Sequence, residues 1–279
     1  MSPRNTPKMT EPTNLRFAKY EGLGNDFLIV DATDEALLDA AQVAKLCDRH
    51  FGVGGDGVLL VLPPTSLGAR ATMVVLNADG SRPEMCGNGL RCVALHLSLL
   101  DRAQAVSFIV DTDAGPRLVA VERSDKAGSV SVGMGRGLPE GELVHQFGAA
   151  RLAFSRVSMG NPHAVTFDAG LDERALDELG PALSAQFPAG SNIELVTTRS
   201  ERVLELLVWE RGVGRTLACG TGACAVAVAA ARQGRVPFDT EIEVRLPGGP
   251  LHITVTRETL DVTMRGPARR VFSGEVSLT

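Results

Sequence analysis

Two short segments pair a residue that does acid–base chemistry with residues that expose backbone. They are Cys86-Gly87-Asn88-Gly89-Leu90-Arg91-Cys92 and Cys219-Gly220-Thr221-Gly222-Ala223-Cys224. Each runs into an apolar stretch, so each reads as a turn that opens a helix. Glycine lets the chain turn sharply and lets a ligand approach the backbone. The unpaired N–H groups of a first helical turn, with the helix dipole, attract an anion. A cysteine there feels the same field, and its pKa can fall from about 8.5 to roughly 3.5–7.5. Each half thus presents a cysteine that can become a thiolate beside an anion site that suits a carboxylate.

Plainer readings stand beside this one. A cysteine at a helix start is often a small hydrophobe. Zinc is poorly served, because five and four residues separate the cysteines within the two motifs, against the usual two to four. Neither Cys86 nor Cys219 belongs to a Cys-x-x-Cys redox motif, although the two could still meet in space. Cys47, Cys92 and Cys224 read as core.

The chain repeats itself. Gly24-Asn25 and Gly160-Asn161 each open an apolar run, 136 residues apart. Phe51, Asp56 and the run to Val61 match Phe187, Asn192 and the run to Val196 at the same offset. The two Cys-Gly-x-Gly turns follow at an offset of 133, and Val130–Met134 matches Leu260–Met264 at 130. Four matches in one order indicate a tandem duplication. A pseudo-two-fold then sets one cysteine on each side of a cleft. Two acid–base groups facing one carbon suit inversion of a stereocentre: one removes the α-proton and the other returns a proton to the opposite face. Two helix N-termini would stabilise the charge that builds on the α-carboxylate.

Polar residues at the ends of the repeated strands are candidate substrate groups: Asn25, Asn77, Asn161, Asn192, Glu210 and Arg211. Asparagine is common in turns for local reasons, which is the bland reading of each. Glu210-Arg211 could hold an ammonium and a carboxylate, or simply be a solvated strand end. His163 could tune a thiolate or hold Asn161. Gly52–Gly57 lacks the Lys-Ser/Thr ending of a phosphate loop and reads as a tight turn.

The elements that position these groups are mostly strands. Alternating or β-branched runs predict strands at Phe27–Val30, Val58–Leu62, Thr72–Leu76, Ser107–Val110 and Leu118–Val121. In the second half they predict Ala164–Phe167, Ile193–Thr197, Val203–Trp209, Glu241–Leu246, His252–Thr256 and Leu260–Met264. Helical patterns cover Glu35–Cys47, Leu90–Leu100, Asp172–Leu179 and Ala223–Gln233. The last is apolar nearly all round and should be buried on every face. Strands and helices do not alternate regularly, so the class is α+β: two similar lobes, each a curved sheet around one buried helix. Hinges are expected near Gly133–Gly137 and Arg265–Pro267.

Composition sets limits. With 279 residues there is chain for about two domains, and 44% hydrophobic residues suffice for a core. The net charge of −5 argues against a nucleic-acid surface. No apolar run approaches the ~20 residues that span a bilayer. Residues 1–14 are polar with three prolines and read as a disordered tail, not an export signal. Five cysteines, an odd number, argue against a disulfide framework and for a cytoplasmic protein. Only four lysines are present, one in the tail and one in a turn, so a pyridoxal Schiff base has few candidates.

Taken together, the segments resemble the diaminopimelate epimerase family. They are Gly22-Leu23-Gly24-Asn25-Asp26-Phe27, Asn77-Ala78-Asp79-Gly80-Ser81, Met85–Cys92, Met159-Gly160-Asn161-Pro162-His163, Glu210-Arg211-Gly212 and Ala218–Ala223. The resemblance implies interconversion of L,L- and meso-diaminopimelate, in lysine and cell-wall biosynthesis, with no cofactor and no metal. It implies Cys86 and Cys219 as the acid–base pair, with His163 and Glu210 modulating them. Asn25, Asn77, Asn161, Asn192, Glu210 and Arg211 would contact substrate, as would the backbone at Gly87, Asn88, Gly220 and Thr221. It also implies β-barrel lobes around central helices, with 15–132 plus 266–279 as one lobe and 133–265 as the other, and a homodimer. Some members carry Gln where Gly57 stands, and that Gln helps hold the far end of the substrate. A proline or hydroxyproline racemase-type enzyme is the nearest alternative, although its first motif usually resembles Cys-Gly-His. A thiol redox protein, a zinc-binding protein and a binding module without chemistry are alternatives of other classes.

Overall fold

The computed structural model describes residues 13–167 and 170–278. Residues 1–12 of the predicted tail lie outside the described residues. Thr13 and Asn14, assigned by sequence to that tail, instead begin a strand paired with the C-terminal residues.

The first half runs β1 (Thr13–Gly22), β2 (Asn25–Asp31), α1 (Ala40–Cys47), β3 (Gly57–Leu62), β4 (Ala69–Asn77), α2 (Gly87–Leu100), β5 (Ala105–Asp111), β6 (Arg117–Ser124) and β7 (Ala127–Arg136). The second runs β8 (Leu138–Phe147), β9 (Ala150–Ser158), β10 (Pro162–Thr166), α3 (Glu173–Ser184), β11 (Asn192–Ser200), β12 (Val203–Glu210), β13 (Gly214–Arg215), α4 (Gly220–Arg232), β14 (Ile242–Leu246), β15 (Gly249–Val255) and β16 (Asp261–Leu278).

The duplication extends to the hydrogen-bond ladders. β2–β3 and β10–β11 are parallel, β3–β4 and β11–β12 antiparallel, β4–β5 and β12–β14 parallel. β5–β6–β7 and β14–β15–β16 follow as antiparallel meanders. β1 to β7 close into a barrel because β16 pairs with both β7 and β1. β16 is unbroken at Arg265–Pro267: its first part pairs with β15 and its last part with β1. The strands predicted from the sequence do not include β1, β7, β8, β9 or the two-residue β13.

The first-half barrel wraps α2; the second-half sheet, barrel-like but with β8 paired only to β9 among the described residues, wraps α4. α2 is buried from Gly87 to Ser98, and α4 is buried along almost its whole length. Alanine allows α4 to fit because it is the best helix former and the smallest side chain with a Cβ. One apolar core runs through both lobes around these helices. Smaller clusters join α1 to the outer faces of β2, β3 and β4, and α3 to those of β10 and β11. β2 and β3 are therefore buried on both faces and read as continuous apolar runs. The segment Glu35–Cys47 is not one helix: Asp39 caps α1 with a capping box through Gln42 and cuts it from a short 3-10 turn. α3 runs past Leu179 and through Pro181. No helix among the described residues is long and apolar enough to cross a membrane.

The ladder shifts one repeat match. Gly57 pairs with Phe27, and Asn192 pairs with His163. Gly57, not Asp56, is thus the counterpart of Asn192. The loop after Phe51 is one residue longer than the loop after Phe187, which pure sequence matching conceals.

Candidate active site

Cys86 is the N-cap of α2, and its Sγ accepts the Gly89 N–H at 3.3 Å. Cys219 is the N-cap of α4, and its Sγ accepts the Gly222 N–H at the same 3.3 Å. Leu90 N–H and Ala223 N–H bond the carbonyls of the two cysteines. That leaves the N–H groups of Gly87, Asn88, Gly220 and Thr221 without helical partners. The two helix starts meet over a methionine floor. A Cβ on Gly87 would lie 3.0 Å from Met264 Cε and 3.1 Å from Met134 Cε, and one on Gly220 would lie 3.1 Å from Met264 Sδ. Met134 and Met264 come from β7 and β16, at matched positions of the repeat.

Both cysteines line one cleft of ≈ 1080 Å³. Asn25, Asn77, Gly87, Asn88, Asn161, Asn192, Glu210, Arg211, Gly220 and Thr221 line it too. His163 does not; it is buried behind the wall. Cys92 and Cys224 are sealed in the barrel cores, so neither motif presents two sulfurs to one ligand.

The asparagine amides organise their neighbours in this state. Asn25 Nδ2 donates to Asp56 Oδ2 at 2.6 Å, while its Oδ1 accepts from Asn88 Nδ2 at 3.1 Å. Asn88 Nδ2 also reaches Ala218 O at 3.1 Å and so ties the two helix starts together. Asn77 Nδ2 donates to Ser81 Oγ at 2.9 Å. Asn192 donates to Pro162 O at 3.0 Å and accepts Arg211 N–H at 2.9 Å. Asn161 stands between His163 Nε2, 3.0 Å from its Oδ1, and Thr221 Oγ1, 3.4 Å from its Nδ2.

Burial works against thiolate formation at both cysteines. It pushes the Cys86 thiol up to about 11, and the negative charge of Glu210 adds to this, against the Gly89 N–H and Arg91. Cys219 rises well above its ordinary range through burial, then through Glu210 and Glu194. The N–H bonds at the helix starts lower both thiols, but desolvation outweighs them. Burial thus favours the thiol form of both cysteines. Glu210 is itself raised by burial, with Thr216 and Cys219 hydrogen bonds pulling it back toward the carboxylate. Thr216 Oγ1 donates to Glu210 Oε1 at 2.5 Å.

Three groups escaped the sequence reading. Glu194 looks like the outward residue of an alternating strand, yet it is fully buried beneath α4. Thr216 carried no motif. Arg91 lies inside a quoted motif that assigns it no role, yet it is fully buried.

The sequence profile of the family described as diaminopimelate epimerase matches residues 17–137 and 155–271. The chain belongs to the diaminopimelate epimerase family. It is 43% identical over 287 residues to a chloroplastic diaminopimelate epimerase of Oryza sativa subsp. japonica, covering 93% of this chain and 79% of that protein. It is 42% identical over 286 residues to a diaminopimelate epimerase of Synechocystis sp., covering 95% and 99%. Among solved structures, a hydroxyproline epimerase from Agrobacterium vitis with bound trans-4-hydroxy-L-proline superposes with a TM-score of 0.76, covering 97% of this chain and 94% of that one. Its sequence identity is 14%, so the likeness is one of fold.

Proposed function

We propose that the protein interconverts L,L- and meso-diaminopimelate by a two-thiol proton exchange without a cofactor. The observation that carries this reading is the matched pair of cysteine caps, each accepting an N3 N–H at 3.3 Å, at two helix starts in one cleft.

The α-carboxylate of the substrate docks at the free N–H groups of Gly87, Asn88, Gly220 and Thr221. Charge that develops there on forming the carbanion meets two helix N-termini. One cysteine, having lost its proton, takes the α-proton. The other gives its proton to the opposite face of the same carbon. After one turnover the two sulfurs have exchanged protonation states, so the enzyme is set for the reverse reaction. Glu210 lies against Cys219 and modulates that thiol, while His163 acts from behind through Asn161 and Thr221. Asn25, Asn77, Asn161, Asn192, Glu210 and Arg211 take the rest of the substrate. Glu210 and Arg211 favour a substrate with a second charged end, which proline lacks. A homodimer in the cytoplasm belongs to the same reading, as the family resemblance implies.

Purified protein given L,L-diaminopimelate, L-proline and trans-4-hydroxy-L-proline in turn tests the substrate. Inversion of diaminopimelate alone is expected. Inversion of a proline in preference to diaminopimelate overturns the assignment.

A further inference from the structure

Five side chains form one hydrogen-bonded chain from the rim of the cleft to the core beneath α2. Arg49 Nη2 donates to Asp56 Oδ1 at 2.7 Å, and Asn25 Nδ2 donates to Asp56 Oδ2 at 2.6 Å. Asn88 Nδ2 donates to Asn25 Oδ1 at 3.1 Å, and Arg91 Nη1 donates to Asn88 Oδ1 at 3.0 Å. Chemistry fixes the direction of every bond, because a carboxylate only accepts and a guanidinium only donates. Asp56 takes the NH₂ of Asn25 and leaves the Asn25 oxygen for Asn88. From the far end, Arg91 takes the oxygen of Asn88 and leaves its NH₂ for Asn25. Both ends demand the same middle bond. Turning either amide over would set donor against donor or oxygen against oxygen.

The chain matters because of where Asn88 sends its second hydrogen. That bond goes to Ala218 O at 3.1 Å, the carbonyl just before Cys219. Asn88 is 3% exposed and follows Cys86 by two residues, so its amide spans from one cysteine cap to the other. At the matched positions of the second lobe, Asn161 Nδ2 faces Thr221 Oγ1, whose hydroxyl meets Cys219 Sγ within its own lobe. Asp56 is held firmly in turn. Its Oδ2 also accepts the Asp26 N–H at 3.0 Å, and Arg49 grips both Asp26 oxygens at 2.7 and 3.2 Å. Asp26 pairs with the buried Lys19. The Arg49 and Asp56 side chains are 55% and 39% exposed, and ion pairs that wet contribute little stability. What they supply is orientation.

We infer that Asp56 is a positioning residue for the proton exchange: acting through Asn25 and Asn88, it holds the start of α2 against Ala218 and so sets the separation of Cys86 and Cys219. That these cysteines exchange a proton with substrate rests on the function proposed above; the locked chain of amides does not.

Hydrogen exchange of the Asn88 side-chain NH₂, followed by NMR on the isotope-labelled protein, tests the chain without substrate. Buried and with both hydrogens bonded, that NH₂ should exchange at least ~10-fold more slowly than the NH₂ of the exposed Asn14. D56N keeps the shape of the side chain but puts an NH₂ where one oxygen stood, so a donor faces either Arg49 or Asn25. It should speed Asn88 exchange by about tenfold, although Asn25 stands between the two residues. On diaminopimelate, D56N should lower kcat by roughly 10- to 100-fold and change KM far less, as expected for a misplacement of about 1 Å. Asn88 exchange as fast as that of Asn14 overturns the inference, and this comparison requires no Asp56 variant to fold. So does Asn88 exchange that D56N leaves unmoved. A raised KM with kcat kept would make Asp56 a substrate ligand and overturn it too. A protein inactive on diaminopimelate would sink the substrate assignment and leave the exchange measurements valid.

Discussion

His163 Nδ1 lies 2.6 Å from Glu194 Oε1, and neither side chain touches water. The other ring nitrogen meets Asn161 Oδ1, Asn161 Nδ2 meets Thr221 Oγ1, and Thr221 Oγ1 stands 3.6 Å from Cys219 Sγ. A buried carboxylate is thus linked through three side chains to one of the two sulfurs. Glu194 Oε2 has no partner at all.

Burial raises the Glu194 carboxyl above its ordinary 4.5. A pKa raised in the folded state gives stability that is whole below the unfolded value and is lost as pH rises through the folded one. Glu194→Gln removes that loss. Its unfolding free energy should therefore improve relative to the parent as pH goes from about 5 to 8. Urea unfolding at several pH values checks this. A difference that is flat, or that runs the other way, contradicts the buried-carboxyl account.

Thr216→Val removes the donor that favours the Glu210 carboxylate. A hydrogen bond to a charged group is worth about 1.5–3 kcal/mol. Glu210 should then ionise at higher pH, and the acid limb of kcat/KM should move up by about one pH unit. An acid limb that stays put or moves down would show that Glu210 does not govern it.

Gly57→Gln introduces the residue that the family resemblance implies for some members at this position. A Cβ on Gly57 would lie 2.5 Å from Leu76 O, a backbone atom that cannot swing aside. The variant should lose about 1–3 kcal/mol of stability by overpacking. Thermal melting reads this directly, and an unchanged Tm means that β3 and β4 can part without cost. Under the proposed function, far-end recognition would fall to neighbours of Gly57 such as Asn77 and Asn192, which line the same cleft.

The duplication and the cysteine caps were legible because cysteine, glycine and the runs after them are local patterns that survive in order. The one-residue slip between Asp56 and Gly57 was not, since only the strand ladder pairs Gly57 with Phe27 and Asn192 with His163. Glu194 was missed for a related reason. Between Ile193 and Leu195 it has the spacing of a solvent-facing strand residue, and only α4 packed over β11 buries it. The cysteine environment was legible only in part, because burial raises both thiols. A sequence shows a helix start and its field, but not how much protein surrounds the sulfur. Thr216 and Arg91 owe their roles to contacts distant in sequence or hidden inside a barrel.

The central claim is that Cys86 and Cys219 stand on opposite faces of one carbon and exchange its proton with solvent. L,L-diaminopimelate incubated with the protein in heavy water, without pyridoxal phosphate or added metal, tests it most directly. Product formed in early turnovers should be the meso isomer with deuterium at the inverted Cα. Cys86→Ala and Cys219→Ala should each slow inversion by at least ~10²-fold, the low end for losing a positioned acid or base. Meso product without deuterium, or full activity in both variants, would contradict it.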